Sequence, residues 1–219
     1  MLLIWQYKRD MEVAAQAERL ENELTRSRIA VMLAQIQPHF IYNALATIKA
    51  LCAENPDAAE DAIAHFAKYL RGNMDSLSES TLVPFTRELQ HLKNYVYLAK
   101  LRFGDKLNFV YDIRAEDFYL PPLSIQPIVE NSVQYGVAKK GGGTVKISTE
   151  EDENGITITV SDDGSGFDFE NSPRDGRSHI GIKNTRNRLS LMCGGTLTID
   201  GRPGEGTTAT IFIPRSENE

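Results

Sequence analysis

The sequence has almost no cysteine: Cys52 and Cys193 stand far apart, without metal-ligand spacing. That excludes a disulfide scaffold and a zinc site, and it fits a reducing compartment such as the cytosol. Long basic runs are also absent, and the formal net charge is −6. The chain therefore lacks the electrostatic footprint for nucleic acid or anionic lipid, and no nucleic-acid partner is expected. No apolar stretch approaches the roughly 20 residues that span a bilayer, and residues 1–5 lack a signal-peptide layout. Internal repeats are missing too. What remains is an ordinary mixture, 41% hydrophobic and 25% charged in 219 residues, enough to bury a core in one or two domains.

The N-terminus carries two readings. Met1-Leu2-Leu3-Ile4-Trp5 is apolar and is followed by Lys8 and Arg9, as where a membrane helix emerges into the cytoplasm; the same residues also suit the start of an amphipathic helix. From Val13, apolar residues recur at Ala17, Leu20, Leu24, Val31 and Ala34 in steps of four and three, with Ser27 in the one polar slot. This is a short coiled-coil seam, weakened by alanine and serine, that suits a dimer lead-in. The helix is expected to continue through His39 to about Cys52. Asn55-Pro56-Asp57 then supplies a turn and a fresh N-cap, and Ala58 to Met74 resumes helical spacing through Ala62, Phe66, Tyr69 and Leu70. Two helices joined by so short a turn make an antiparallel hairpin, and two hairpins make a four-helix dimer core.

A polar stretch, Ser76 to Ser80, marks a domain boundary near residue 80. Beyond it the pattern predicts a helix from Thr86 to Phe103, a strand from Leu107 to Ile113, and a helix from Pro122 to Gly136 with prolines near its first turn. Strands at Thr144–Thr149 and Ile156–Ser161, a Gly/Ser/Asp-rich loop, a helix from Gly181 to Met192, and strands at Thr196–Ile199 and Thr207–Ile213 complete the chain. The strands outnumber the helices that would alternate with them in a doubly wound sheet. The fold class is therefore α+β, a helical hairpin followed by an α/β sandwich with helices on one face of a mixed sheet.

Several segments of the second part carry chemistry. On the helix after Pro122, Asn131, Gln134 and Tyr135 lie at i, i+3 and i+4 and share one face, which can present an amide oxygen to Mg²⁺, an amide to phosphate and a ring to a base. Glu130, one residue off that face, can support the metal through water. Alone, this is also what a polar outer helix face looks like. Asp162-Asp163-Gly164-Ser165-Gly166 closes a hydrophobic strand; a carboxylate there can accept from an exocyclic amine such as that of adenine, and the glycines permit close approach. Phe167 to His179 reads as a mobile lid, and Gly181 as the opening of a helix whose first N–H groups hold phosphate. Lys183, Asn184 and Arg188 add polar groups nearby. Gly204-Glu205-Gly206-Thr207 forms a tight turn that by itself is a plain hairpin.

In order and spacing these segments resemble the N, G1, G2 and G3 boxes of the GHKL ATPases. The resemblance implies a Bergerat-type sandwich that binds ATP with Mg²⁺. Asn131 would hold the metal, Asp162 would read adenine, Gly164 and Gly166 would line the base, and Gly181 would anchor the lid, with Gln134, Tyr135, Lys183, Asn184, Gly204, Gly206 and Thr207 around the nucleotide. Upstream, Gln35-Ile36-Gln37-Pro38-His39-Phe40-Ile41-Tyr42-Asn43-Ala44-Leu45 resembles the signature of LytS/YehU-type sensor histidine kinases. The likeness continues through Ala67 to Arg71, Glu88-Leu89, Tyr95 and Leu101 to Asp105.

That family implies a chain divided into a coiled-coil or juxtamembrane linker at 1–28, a dimerisation and phosphotransfer hairpin at 29–80, and an ATP-binding domain at 81–219. His39 would be the phosphoacceptor and Asn43, one turn on, would hold a water for a phosphatase step. The partners would be a second copy of the chain and the receiver domain of a response regulator, with the kinase region on the cytoplasmic side of a membrane-anchored sensor. The chemistry is sound on its own terms. A neutral imidazole has a free lone pair for a γ-phosphorus, and Pro38 is expected to kink or loosen the helix beside it. His65, His91 and His179 are read as structural. Three departures are Gln134 where the family often has a basic residue, Tyr135 where it often has His, and His179 in place of the first G2 glycine; together they predict modest nucleotide affinity. The competing readings are a GHKL ATPase or chaperone without a phosphoprotein intermediate, and a non-catalytic dimerising scaffold.

Overall fold

The structure, a computed structural model, describes residues 38–166 and 176–215 together with the helical positions Met11, Gln16, Glu18 and Arg19. The expected seam from Val13 to Ala34 and most of the lid lie outside the described residues. The chain forms two compact units, Met1–Tyr42 and Asn43–Glu219. Helix α1 is described over Pro38–Glu54. It exposes His39 and buries Phe40, Ala44 and Ile48 at four-residue spacing. Asn55 then accepts from the Ala58 N–H at 3.2 Å and Pro56 takes the first helical position, so α2 (Pro56–Ser78) starts where the turn chemistry requires.

Val83–Pro84 (β1) and Tyr119–Leu120 (β3) pair as a small antiparallel ribbon that the sequence did not foretell. Between them run α3 (Phe85–Phe103) and β2 (Leu107–Ile113). A turn then leads to α4 (Gln126–Asn131), which continues through a π-helical stretch, Ser132–Val137, into the short α5 (Ala138–Lys140). Strands β4 (Gly143–Glu151) and β5 (Gly155–Asp162), helix α6 (Gly176–Cys193), and strands β6 (Thr196–Arg202) and β7 (Gly206–Pro214) follow.

The main sheet has the order β2-β4-β5-β7-β6, with β2 and β4 parallel and the other pairs antiparallel. Along β5, Ile156, Ile158 and Val160 are buried, whereas Thr157, Thr159 and Ser161 between them are half-buried. This alternation shows one covered face. Leu92 and Val96 of α3, Val129 and Val133 of the α4 segment, and Leu189 of α6 supply the core from the helical side. The mixed sheet with helices on one face is thus as expected. Two helix starts differ. The α4 segment begins at Gln126 rather than Pro122, with Pro127 in its first turn. Helix α6 is already helical at Gly176, five residues before Gly181.

Candidate nucleotide site

Asp162 is the last residue of β5, in register with Thr207 of β7 and Val145 of β4. Neighbouring strands bury it to 6% exposure. The Gly164 N–H donates to Oδ1 at 3.0 Å, while Oδ2 is buried with no hydrogen-bond partner. Burial pushes the carboxyl pKa up; Ser132 and the N–H groups of Gly164 and Thr207 pull it down, and Asp163 adds a smaller upward push. An orphaned buried acceptor is costly. Here it faces the end of the sheet where the glycine-rich loop and the last hairpin meet, and it suits a donor from a ligand.

The carboxylate is enclosed by backbone. A Cβ on Gly164 would overlap the main chain of Gly136, and one on Gly136 would come within 2.5 Å of Asp162 Oδ1. Gly206, at φ +87°, passes so close to the Asp162 carbonyl that a side chain there would overlap it. Ser165 completes the junction: its N–H donates to the Gly136 carbonyl at 3.2 Å and its hydroxyl to the Tyr135 carbonyl at 2.9 Å. The Gly204 N–H in turn reaches the Ser165 carbonyl at 2.8 Å. The α4 segment, the Asp162–Gly166 loop and the Gly204–Thr207 turn therefore converge, as the sequence suggested.

The helix is π-helical over Ser132–Val137, yet Asn131, Gln134 and Tyr135 share the same half-buried state, whereas Ser132, Val133, Gly136 and Val137 are buried. Lys139 lies over the Tyr135 ring at 5.3 Å. Gly181 differs from expectation: it lies in the second turn of α6, where its N–H is inside the helical ladder, so in this arrangement it does not open the helix toward a phosphate. Lys183 is exposed and Asn184 half-buried on the same helix. Arg188 donates to the Leu123 carbonyl at 2.8 Å and so fastens α6 to the approach of α4.

Glu130 does not share the Asp162 floor. It is 6% exposed, and its Oε1 accepts from Tyr69 Oη of α2 at 3.1 Å and from Gln126 Nε2 at 2.7 Å. Burial pushes its pKa up to about 7, against the downward pull of those two bonds.

Comparison with known proteins decides the family. The sequence matches the family described as histidine kinase over residues 27–107, and the family described as histidine kinase-, DNA gyrase B- and HSP90-like ATPase over residues 123–217. It is 37% identical to the protein YwpD of Bacillus subtilis (strain 168), over 90% of this chain and 73% of that one. The chain belongs to the histidine kinase family. Sensor histidine kinase YpdA of Escherichia coli (strain K12) is 35% identical over 91% of this chain, and sensor protein LytS of Oceanobacillus iheyensis is 32% identical over 70%. The chain spans only 36% and 26% of those two proteins. Solved histidine kinase domains share the fold: that of the Erythrobacter litoralis EL346 blue-light-activated kinase at TM-score 0.50 and 17% identity, covering 90% of this chain and 97% of that one, and Acinetobacter baumannii AdeS at 0.51 and 15%, covering 88% and 98%.

Within this histidine kinase chain, reading motifs missed Ser132, Gly136 and Gln126 as residues that join the motifs, and gave no such role to Ser165, Tyr69 and Glu88, which stand inside the resembling segments. Only Gly136 carried a usable signal, a glycine within a helical pattern. His39 is exposed on α1, and Asn43, half-buried, gives its carbonyl to the Thr47 hydroxyl at 3.0 Å. His65 pairs with Asn94 at 2.9 Å and stacks on Tyr97, a structural role as expected.

His91 is buried between α2 and α3 against the Tyr69 ring, and burial pushes its pKa down to about 4, against the pull of Gln126. A base held neutral in the fold takes up its proton only on unfolding, so its contribution is full above pH 6.5 and is lost as pH falls towards about 4. Wild-type stability minus that of His91→Gln is expected to shrink by about 2 kcal/mol across this window. Urea melts of both proteins at intervals from pH 7 to pH 4 measure it; parallel curves would refute the assignment.

Proposed function

We propose that the chain uses Mg-ATP to phosphorylate His39 and passes the phosphoryl group to an aspartate of a response-regulator receiver domain. The observation that carries this reading is the unpartnered Asp162 Oδ2 set in a backbone-lined floor, the acceptor an adenine amine requires. The residues present suit the nucleotide. Asn131 offers an amide oxygen of the kind that Mg²⁺ takes beside phosphate oxygens, and Tyr135 and Lys139 offer a ring and a cation on the same segment. Lys139 can also offset the positive charge missing at Gln134. When bound, Mg-ATP supplies the transferable phosphoryl group and neutralises its charge.

The exposed His39 supplies the nucleophile. A ring nitrogen forms the N–P bond as the bond to the departing ADP oxygen breaks, and the imidazolium proton is released. The phosphoramidate then gives its phosphoryl group to a carboxylate oxygen, restoring the imidazole. The exposed apolar side chains of Leu45 and Ile63 support a homodimer formed through the hairpin helices. Asn43 is proposed for hydrolysis of the partner's phosphoaspartate. The 29–80 and 81–219 division remains part of this reading. Among the described residues no helix is long and apolar enough to cross a membrane. Attachment to a membrane sensor would rest on sequence related to the longer relatives.

Incubation with γ-labelled ATP and Mg²⁺ tests the proposal. Base-stable, acid-labile label on the chain supports the kinase; released phosphate without labelled protein favours an ATPase, and neither favours a scaffold. Asp162→Asn, which turns an acceptor into a donor, is expected to weaken ATP binding by about 10- to 100-fold, the 1.5–3 kcal/mol of a hydrogen bond to a charged group. Calorimetric titration measures it, and unaltered affinity would remove Asp162 from the base site.

A further inference from the structure

Beneath the nucleotide segment, four buried polar side chains join two helices. Tyr69 and Asn73 stand at i and i+4 on α2, and Gln126 and Glu130 at i and i+4 on the α4 segment. Their exposures are 0%, 5%, 4% and 6%. Tyr69 Oη donates to Glu130 Oε1 at 3.1 Å; Gln126 Nε2 donates to Glu130 Oε1 at 2.7 Å and contacts Asn73 Oδ1 at 3.2 Å; Asn73 Nδ2 donates to the Tyr69 carbonyl at 2.9 Å. Matching one-turn spacings on both helices make this a register lock. Sliding α2 by one residue would separate both rungs at once and leave buried groups unpaired.

The lock sits directly before Asn131 and the π-helical stretch. That stretch is held on its other side by Ser165 through the carbonyls of Tyr135 and Gly136. A π turn is the place where a helix absorbs a change of register. Displacement of α2 therefore has a route to Asn131 through Glu130, its neighbour in the chain.

Resting on the kinase reading above, we infer that Tyr69 is a positioning residue for phosphoryl transfer: through Glu130 it couples the placement of hairpin helix α2 to that of Asn131. Asp162, the acceptor proposed for the adenine amine, lies on β5 outside this lock, so the coupling is expected to act on alignment of the terminal phosphate more than on nucleotide affinity. It also gives the hairpin a way to report motion to the nucleotide segment without any contact with the ligand.

Tyr69→Phe tests the inference because it removes one oxygen and keeps the ring. With Mg-ATP, kcat for autophosphorylation per folded molecule, the folded fraction being read from a urea melt of the same variant, is expected to fall about tenfold while KM stays unchanged. Amide hydrogen exchange across residues 132–137 of the nucleotide-free protein is expected to quicken in the same variant. If wild type is labelled and Tyr69→Phe matches it in kcat, or loses KM and kcat together, the inference fails. If wild type takes no label, the kinase reading fails instead. The lock is then judged by exchange alone, and unchanged protection across 132–137 overturns it.

Discussion

Replacing His39 with glutamine is expected to remove all base-stable, acid-labile label from the chain and to leave ATP binding as in wild type. The two outcomes belong together because the side chain and the base site have separate tasks. Glutamine retains polarity and helix propensity on the exposed face of α1, but its amide nitrogen has no lone pair available to attack phosphorus. The Asp162 floor is built from β5, the Asp162–Gly166 loop, Gly136 of the π-helical stretch and the Gly204–Thr207 turn. Labelling with γ-labelled ATP and Mg²⁺, followed by acid and base treatment, reads the first outcome, and calorimetric titration with nucleotide reads the second. Residual acid-labile label in the variant would move the acceptor to another histidine. Loss of nucleotide binding together with label would mean that the substitution damaged the fold.

Glu88→Ala is expected to destabilise the chain by about 3–5 kcal/mol, the scale for deleting one partner of a buried charged cluster. Glu88 lies on α3 at 3% exposure, and its two oxygens accept from the Leu123 N–H at 2.8 Å and the Ser124 N–H at 3.1 Å, with the Ile125 N–H adding to the same cradle. These amides precede α4 and have no intrahelical partners. Leu123 holds φ at 54°, a left-handed conformation that a branched side chain adopts only when its surroundings compel it. The carboxylate and Arg188, which takes the Leu123 carbonyl, are what compel it. Burial pushes the Glu88 pKa up even against three amides and the Arg188 charge, which shows how completely water is excluded. Alanine would leave the amides unpaired in that dry space. Glu88→Gln, which keeps one acceptor, should cost about 1–3 kcal/mol. Urea unfolding compares the three proteins, and an alanine variant with the wild-type midpoint would show that the cradle is not what sets α4.

Local patterns in the sequence reported the parts of this molecule whose causes are local. The Asn55-Pro56 cap, the alternation of β2 and β5, and the Asp162-Asp163-Gly164 strand end each declare themselves within a few residues, and each was placed close to its observed position. Glu88 could not be read in the same way, since its partners lie 35 and 36 residues downstream. Tyr69 and Glu130, separated by 61 positions, are likewise an apolar-spaced aromatic and an ordinary carboxylate until the helices cross. The π-helical stretch escaped for another reason: Ser132 to Val137 suits an α-helix by propensity, and tertiary bonds from Ser165 accompany the wider turn. Gly181 was misplaced because a glycine after a polar run resembles a helix start, although α6 accommodates it one turn inside.

The contact between Gly136 and Gly164 leaves no thickness between two main chains, and it exists before any ligand arrives. Both glycines are therefore required by the architecture itself. A descendant that had ceased to turn over nucleotide would still be obliged to keep them, so the survival of that motif records the integrity of the scaffold and not turnover.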